Sequence, residues 1–237
     1  MSALDAALRN PVPATLHGAL GGFGAVRGGA ARFAPEVSPF AGLPLDPGPA
    51  DWADLAALCG PDRDVVLVRA GDGPPVLPDG WVLRWPFPAI QMDGAGVPGG
   101  PDPDAVELGS ADRAEMAELA AATRPGPWMA RTAELGRFVG FRHDGRLVAM
   151  AGERMRLGPA GEVATEISAV CTDPELRGKG LARRLVEAVV AGIVARGERP
   201  VLHVSAANEN AVRLYRSMGF TVSRAMRFDM LRTPGAA

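Results

Sequence analysis

Residues Glu166-Ile-Ser-Ala-Val-Cys-Thr-Asp-Pro-Glu-Leu-Arg-Gly-Lys-Gly-Leu-Ala182 decide the fold. A short apolar run stops at Asp173-Pro174, and Arg177-Gly178-Lys179-Gly180 then opens an amphipathic segment. The pattern is a strand that feeds the N-terminus of a helix through a glycine-rich loop. Glycines let the backbone approach a ligand with no Cβ in the way, and the first helical turn carries N–H groups without intrahelical partners. The expectation is an anion site, most simply one for phosphate.

Downstream of the loop, Leu181, Leu185, Val189 and Ile193 share one helical face, Val186 and Val190 widen it, and Gly197 closes it. Pro200 to Ser205 reads as a strand, so a right-handed parallel strand-helix-strand crossover is expected. Asn208-Glu-Asn210 caps a short helix that ends near Met218-Gly219, and Phe220 to Arg232 supplies one or two last strands. Upstream, Ser110 to Thr123 has helical spacing with Ser110 as N-cap. Gly136 to Arg142 and Arg146 to Gly152 form a hairpin through Asp144-Gly145, and Val163 to Val170 adds a third strand.

The 237 residues, 47% of them apolar, suffice for one large domain or two modest ones. Residues 1 to 104 carry 6 arginines against 12 acidic residues, and the remainder carries 19 basic against 15 acidic. The prolines divide 16 to 6 at the same point. Two differently built regions are expected, 1–104 and 105–237, joined through the Pro/Gly stretch 93–103. In the first, Asp51 to Leu58 is a helix candidate, Val65 to Val68 and Trp81 to Trp85 are strand candidates, and turns fill the rest. Cys59 and Cys171 lie in no metal or redox spacing, the three histidines lack neighbouring ligands, and the mild basic excess is no nucleic-acid footprint. With no signal peptide or membrane span apparent at the start, a cytoplasmic protein without metal, membrane or nucleic-acid partners is expected.

Spacing separates the loops that could bind phosphate. A Walker loop needs Ser or Thr after its lysine, and Gly180 follows Lys179. A dinucleotide fingerprint wants a small residue where Arg183 stands. Glycines that merely allow close helix packing are the remaining plain alternative.

The stretch from Glu166 to Phe220 resembles the acetyl-CoA-binding core of the GNAT superfamily of N-acetyltransferases. The strand Glu166 to Thr172, the loop Arg177-Gly-Lys-Gly-Leu-Ala182, and Asn208-x-Asn-Ala-Val-Arg-Leu-Tyr215-x-x-x-Gly219-Phe220 match in order. Glu175 departs from the stricter loop pattern, which has Gln or Arg there. The resemblance covers residues 105 to 232 and implies a mixed α/β fold. Its sheet is mostly antiparallel with a splayed parallel pair and flanking helices, and residues 1–104 are an α/β region open to reading as a degenerate copy of the same fold.

The resemblance further implies direct transfer of acetyl from acetyl-CoA to a primary amine of a small molecule or peptide, without metal. The loop residues Arg177, Gly178, Lys179, Gly180, Leu181, Ala182 and Arg183 would hold the pyrophosphate. Backbone of Val170, Cys171 and Thr172, with Asn208, would hold the pantetheine. Tyr215, the sole tyrosine, corresponds to the general acid for the leaving thiolate. Glu166 and His203 are alternative bases, each equally readable as a paired structural residue. Arg124 to Arg131, including Trp128, and Phe228 would shape the acceptor side, and the acidic N-terminal region would draw in a cationic amine. A non-catalytic acyl-CoA sensor is the competing reading, and homodimer formation stays open.

Overall fold

The computed structural model describes residues 2–236. The N-terminal region opens with helices α1 (Ala3–Arg9) and α2 (Pro11–Leu16), followed by strands β1 (Gly24–Arg27), β2 (Ala30–Phe33) and β3 (Phe40–Gly42). Helix α3 (Pro49–Cys59) then crosses to β4 (Asp64–Ala70), and β5 (Val82–Trp85) and β6 (Pro88–Asp93) follow. The second region runs β7 (Val106–Leu108), α4 (Arg113–Thr123), β8 (Phe138–His143), β9 (Arg146–Leu157) and β10 (Ala164–Thr172). It ends with α5 (Leu181–Ala195), β11 (Arg199–Ser205), α6 (Glu209–Ser217) and β12 (Thr221–Arg232).

All the strands join one 12-stranded sheet, ordered β1-β2-β3-β4-β12-β6-β11-β10-β9-β8-β7, with β5 pairing β12 beside β6. Pairing is antiparallel except for β3 with β4 and β10 with β11, each pair bridged by a helix. The expected mixed, mostly antiparallel sheet with a parallel pair is therefore present. The same local order recurs: β1-β2-β3-α3-β4 repeats the plan of β8-β9-β10-α5-β11. The Pro/Gly stretch does not interrupt the sheet, because β6 precedes it in sequence yet lies between β11 and β12.

Several short elements differ from the sequence expectation that turns fill most of the first region. Helices α1 and α2 are short and divided at Asn10-Pro11, so neither shows helical periodicity in isolation. Strand β6 starts at Pro88, a residue that argues against a central strand; it is the first residue of the strand, where a missing N–H is tolerated. The last segment forms a single long strand, β12, paired with β4 along its second half and with β6 along its first. Gly109 precedes the α4 segment, which starts with a short 3-10 turn over Ser110–Asp112, and Asp112 accepts from the Gly109 N–H, so Ser110 is not the cap.

Burial follows the periodicities. Leu185, Val186, Val189, Val190 and Ile193 of α5 pack against Val139, Phe141, Ile167, Leu202 and Val204 of the sheet. Each such side chain taken from water contributes about 1.5–3 kcal/mol. On the opposite face α1 and α2 bury Leu4, Leu8, Val12 and Leu16 against Phe33, Phe40, Val66, Met155, Val201 and Phe228. That cluster takes residues from both regions and so fixes their relative placement.

Candidate active site

The site begins with a defect in β10. Its pairing with β9 loses register between Ser168 and Cys171, and Ala169 there adopts a left-handed φ of 53°. A non-glycine residue in that region costs of order 1 kcal/mol and marks a bulge that re-aims the strand. The parallel pairing of β10 with β11 accordingly ends at Ile167↔Leu202. Beyond it the strands separate, and a cavity of about 600 Å³ opens between Ser168–Thr172 and His203–Ser205. Val170, Cys171, Thr172, Arg177, Ala182, Asn208, Tyr215 and Phe228 all line it. A cleft of this size suits a small ligand.

At one end of the cavity stands the glycine loop. Asp173 turns the chain by accepting from the Glu175 N–H at 3.0 Å, and Arg177 Nε donates to the Thr172 carbonyl at 3.4 Å. Gly178 and Gly180 both have φ of 79°, and a Cβ on either would meet nothing within 4 Å. Glycine is thus required here by backbone conformation, and the space in front of the loop is open. Helix α5 starts at Leu181 with no side-chain cap, so its first N–H groups lack a partner from a capping residue. Arg183 donates to Ser217 Oγ at 2.6 Å, which ties it to α6. Arg184 forks onto Asp102 at 2.6 and 2.8 Å, donates to Asp104 at 2.6 Å and lies over the Phe141 ring; these carboxylates hold it to the connection before β7 rather than to the loop.

Across the cavity, Asn208 Oδ1 caps α6 by accepting from the Ala211 N–H at 3.1 Å. The cap uses only the carbonyl oxygen and leaves the amide N–H groups for another partner. Tyr215, seven residues further and nearly two turns on, is 8% exposed and packs edge-on against Phe220. Burial pushes its phenol up to about 12, so it stays protonated at neutral pH. Cys171 is buried, and its thiol is likewise pushed up by desolvation, which keeps it neutral.

Glu166 and His203 are brought together, paired to each other. Glu166 is fully buried at 0% exposure and does not line the cavity. Arg154 donates to it twice, Nε to Oε2 at 2.9 Å and Nη2 to Oε1 at 2.8 Å, and His203 Nδ1 lies 2.7 Å from Oε1. Burial alone would raise this carboxyl; the Arg154 charge and hydrogen bonds, with the His203 bond, overcome that and hold it at about 2. The other ring nitrogen, Nε2, is 3.0 Å from the Gln91 amide nitrogen, which also donates to the Leu8 carbonyl at 2.9 Å. Gln91 therefore donates, His203 Nε2 accepts, and Nδ1–H points to Glu166. Both His203 ring nitrogens are engaged, and the Glu166 carboxylate takes three hydrogen bonds, two on Oε1 and one on Oε2.

Phe40, Phe87, Ala89 and Arg154 also line the cavity and were not singled out by the sequence. The first three come from the N-terminal region, which therefore forms part of the cavity wall. The charged side chains on that wall are Arg124, Arg154 and Arg177, and no carboxylate lies among its lining residues. Arg154 carried a signal in hindsight, as a charge in a strand whose neighbours Met150, Ala151 and Met155 are buried. Of the expected acceptor segment, Arg124 to Pro127 line this cavity, whereas Trp128 faces a second one of about 470 Å³ and stacks edge-on against Phe138.

Among the described residues, no cluster of side chains suited to a metal occurs and no helix is long and apolar enough to cross a membrane. A bulged, splayed parallel pair beside an uncapped glycine loop is the geometry of an acyl-CoA-dependent transferase, and the relatives agree. The model of the FR47-like protein family matches residues 138–228. N-alpha-acetyltransferase RimI of Mycobacterium tuberculosis is 34% identical over 130 residues, which span 50% of this chain and 80% of that protein. Mycothiol acetyltransferase of Thermobispora bispora is 49% identical over 65 residues, 27% of this chain and 21% of that protein. A crystal structure from Novosphingobium aromaticivorans, assigned to the GNAT family, superimposes with a TM-score of 0.85 at 43% identity, covering 95% of this chain and 98% of that one. A GCN5-related N-acetyltransferase from Kribbella flavida shares the fold over 90% of each chain, with a TM-score of 0.57 at 15% identity. The chain belongs to the GNAT superfamily of N-acetyltransferases, enzymes that use acetyl-CoA.

Proposed function

We propose that the cavity between β10 and β11 takes the pantetheine arm of acetyl-CoA, and that acetyl passes directly to a primary amine entering from the side of Phe40, Phe87 and Phe228. The observation that carries this reading is the placement of the bulge, the glycine loop, Asn208 and Tyr215 around one cavity. The N–H groups of Gly178 to Arg183, at the positive end of α5, would bind the pyrophosphate. On the edge that faces β11, where the parallel ladder has ended, backbone of Val170 to Thr172 would pair with the pantetheine as an added strand, with the Asn208 amide as a further donor. A backbone N–H of the bulge would donate to the thioester oxygen as charge develops on it.

In this reading the amine nitrogen attacks the thioester carbon, the tetrahedral intermediate collapses with cleavage of the C–S bond, and the amine proton leaves to water. The thiolate accepts a hydrogen bond from Tyr215. A thiol has an ordinary pKa of about 8.5 and burial pushes the phenol up to about 12, so complete transfer from phenol to thiolate is uphill. Tyr215 then acts chiefly by stabilising the departing charge, with final protonation from solvent. Glu166 and His203 serve as a positioning network that holds Arg154 and the wall at Phe40 and Phe228, because the Glu166 carboxylate is buried and ion-paired and both His203 ring nitrogens are engaged.

The N-terminal region is read as a degenerate copy of the same plan, without a second cofactor site. Its β3-to-α3 connection carries Pro44, Pro47 and Pro49, which lack N–H donors, and Asp51 Oδ2 already accepts from the Gly48 N–H at 2.8 Å. Its role is to supply β6 and the acceptor wall. A thermal-shift assay with acetyl-CoA followed by thiol release over an amine panel tests the reading. Stabilisation with amine-dependent thiol release is expected; stabilisation without release from any amine would support a sensor instead, and no stabilisation of the folded protein would sink the cavity assignment.

A further inference from the structure

The acetyl-transfer reading leaves the acceptor undefined, and the charges on the cavity wall narrow it. Arg177 is bonded to the Thr172 carbonyl beside the glycine loop, on the cofactor side. Arg154 lies over the Phe40 ring at 4.6 Å and is neutralised by Glu166. Arg124 is different. Most arginines around it hold a carboxylate: Arg113 and Arg131 hold Glu134, Arg142 holds Asp112, and Arg184 holds Asp102. Arg124 is exposed, lines both cavities, and its side chain makes no hydrogen bond or ion pair among the described residues.

Its backbone is also unusual. Arg124 ends α4 in the left-handed region, with φ 50° and ψ 57°, its N–H donating to Ala120. Pro125 follows directly, and a residue before proline is normally driven to extended conformations. Gly126 and Pro127 then continue along the cavity wall. A non-glycine residue held in the left-handed region between a helix end and a proline stores backbone strain, which is common at ligand sites.

We propose that the acceptor is a small amine carrying its own anionic group, a carboxylate or a phosphate near the nucleophilic nitrogen, and that Arg124 binds that group. A planar guanidinium matches the paired oxygens of either anion. The same wall disfavours polyamines and other polycations, since an additional positive charge would face Arg124, unpaired among the described residues, with no cavity-lining carboxylate to receive it. Phe40, Phe87 and Phe228 leave an apolar flank for the carbon frame of the acceptor. This inference rests on the acetyl-transfer reading and adds the substrate class.

Thiol release at saturating acetyl-CoA should be compared in matched pairs: alanine and other α-amino acids against their amides, O-phosphoethanolamine against ethanolamine, with spermidine as the polycation. The anionic member of at least one pair is expected to have a kcat/KM higher by about tenfold or more. Whichever pair responds names the anion. In Arg124→Ala that preference should collapse to near unity with the acetyl-CoA KM retained, and Arg124→Lys should restore part of it. Equal or better use of the amides, ethanolamine or spermidine, or a preference that survives Arg124→Ala, would overturn the proposal. Stabilisation by acetyl-CoA with no thiol release from any anionic amine overturns the acceptor class alone. Absence of that stabilisation overturns the cavity reading beneath it.

Discussion

Replacing Glu166 by Gln removes the charge at the centre of the Arg154–His203 network while keeping its size. Glu166 is fully buried, and its carboxyl is held at about 2 against an ordinary value of 4.5. A depressed carboxylate contributes stability that is fully present above the unfolded value and is lost as pH falls through the folded one. The difference of about 2.5 units corresponds to roughly 3 kcal/mol at pH 7, falling to about 1 kcal/mol at pH 3. Leaving Arg154 buried without its anion adds to the loss, and breaking such a pair costs about 3–5 kcal/mol. Urea unfolding of the wild type and Glu166→Gln should therefore differ by at least about 3 kcal/mol at pH 7, and the gap should narrow by about 2 kcal/mol at pH 3. A gap that is small at pH 7, or equal at both pH values, would refute the description of Glu166 as an ionised, paired group. A variant as stable as the wild type whose turnover acquires a new pH dependence would instead return Glu166 to the role of base.

Three further outcomes follow from the same geometry. Tyr215→Phe should lower kcat by about tenfold with acetyl-CoA affinity retained, because a thiolate is a tolerable leaving group without help; an unchanged kcat removes the phenol from the reaction. Gly180→Ala places a Cβ at a φ of 79°, so it should weaken acetyl-CoA binding more than it lowers the melting temperature, and calorimetry with wild-type affinity would contradict the loop assignment. Leu185→Ala empties a fully buried position on α5 and should cost about 2–5 kcal/mol in denaturant unfolding, with a loss under 1 kcal/mol arguing against the packing of that helix.

What could be read from the sequence is what depends on neighbours in the chain. The α5 stripe, the Asp144-Gly145 hairpin, the glycine loop and the Asn208 cap are local patterns, and the structure has them where periodicity and turn chemistry place them. The expectation fails where stability comes from distant partners. Strand β6 is short and begins with proline, yet it is held on both sides by strands more than 100 residues away. The left-handed turn at Ala169 that opens the cavity has no signature in its residue type. Glu166 and His203 could be singled out as chemically capable, but only the fold brings Arg154 and Gln91 against them and ties them into one buried network. The cut in charge and proline content after Asp104 reflects a real change of texture, although the sheet continues through it.

The most direct test is a calorimetric titration of the protein with acetyl-CoA. One equivalent per chain is expected, since of the two matching connections the β10-to-α5 loop has open glycines and an uncapped helix start, while the N-terminal one is filled by prolines and Asp51. A stoichiometry of two, or no binding by folded protein, would contradict the placement of the cofactor between β10 and β11.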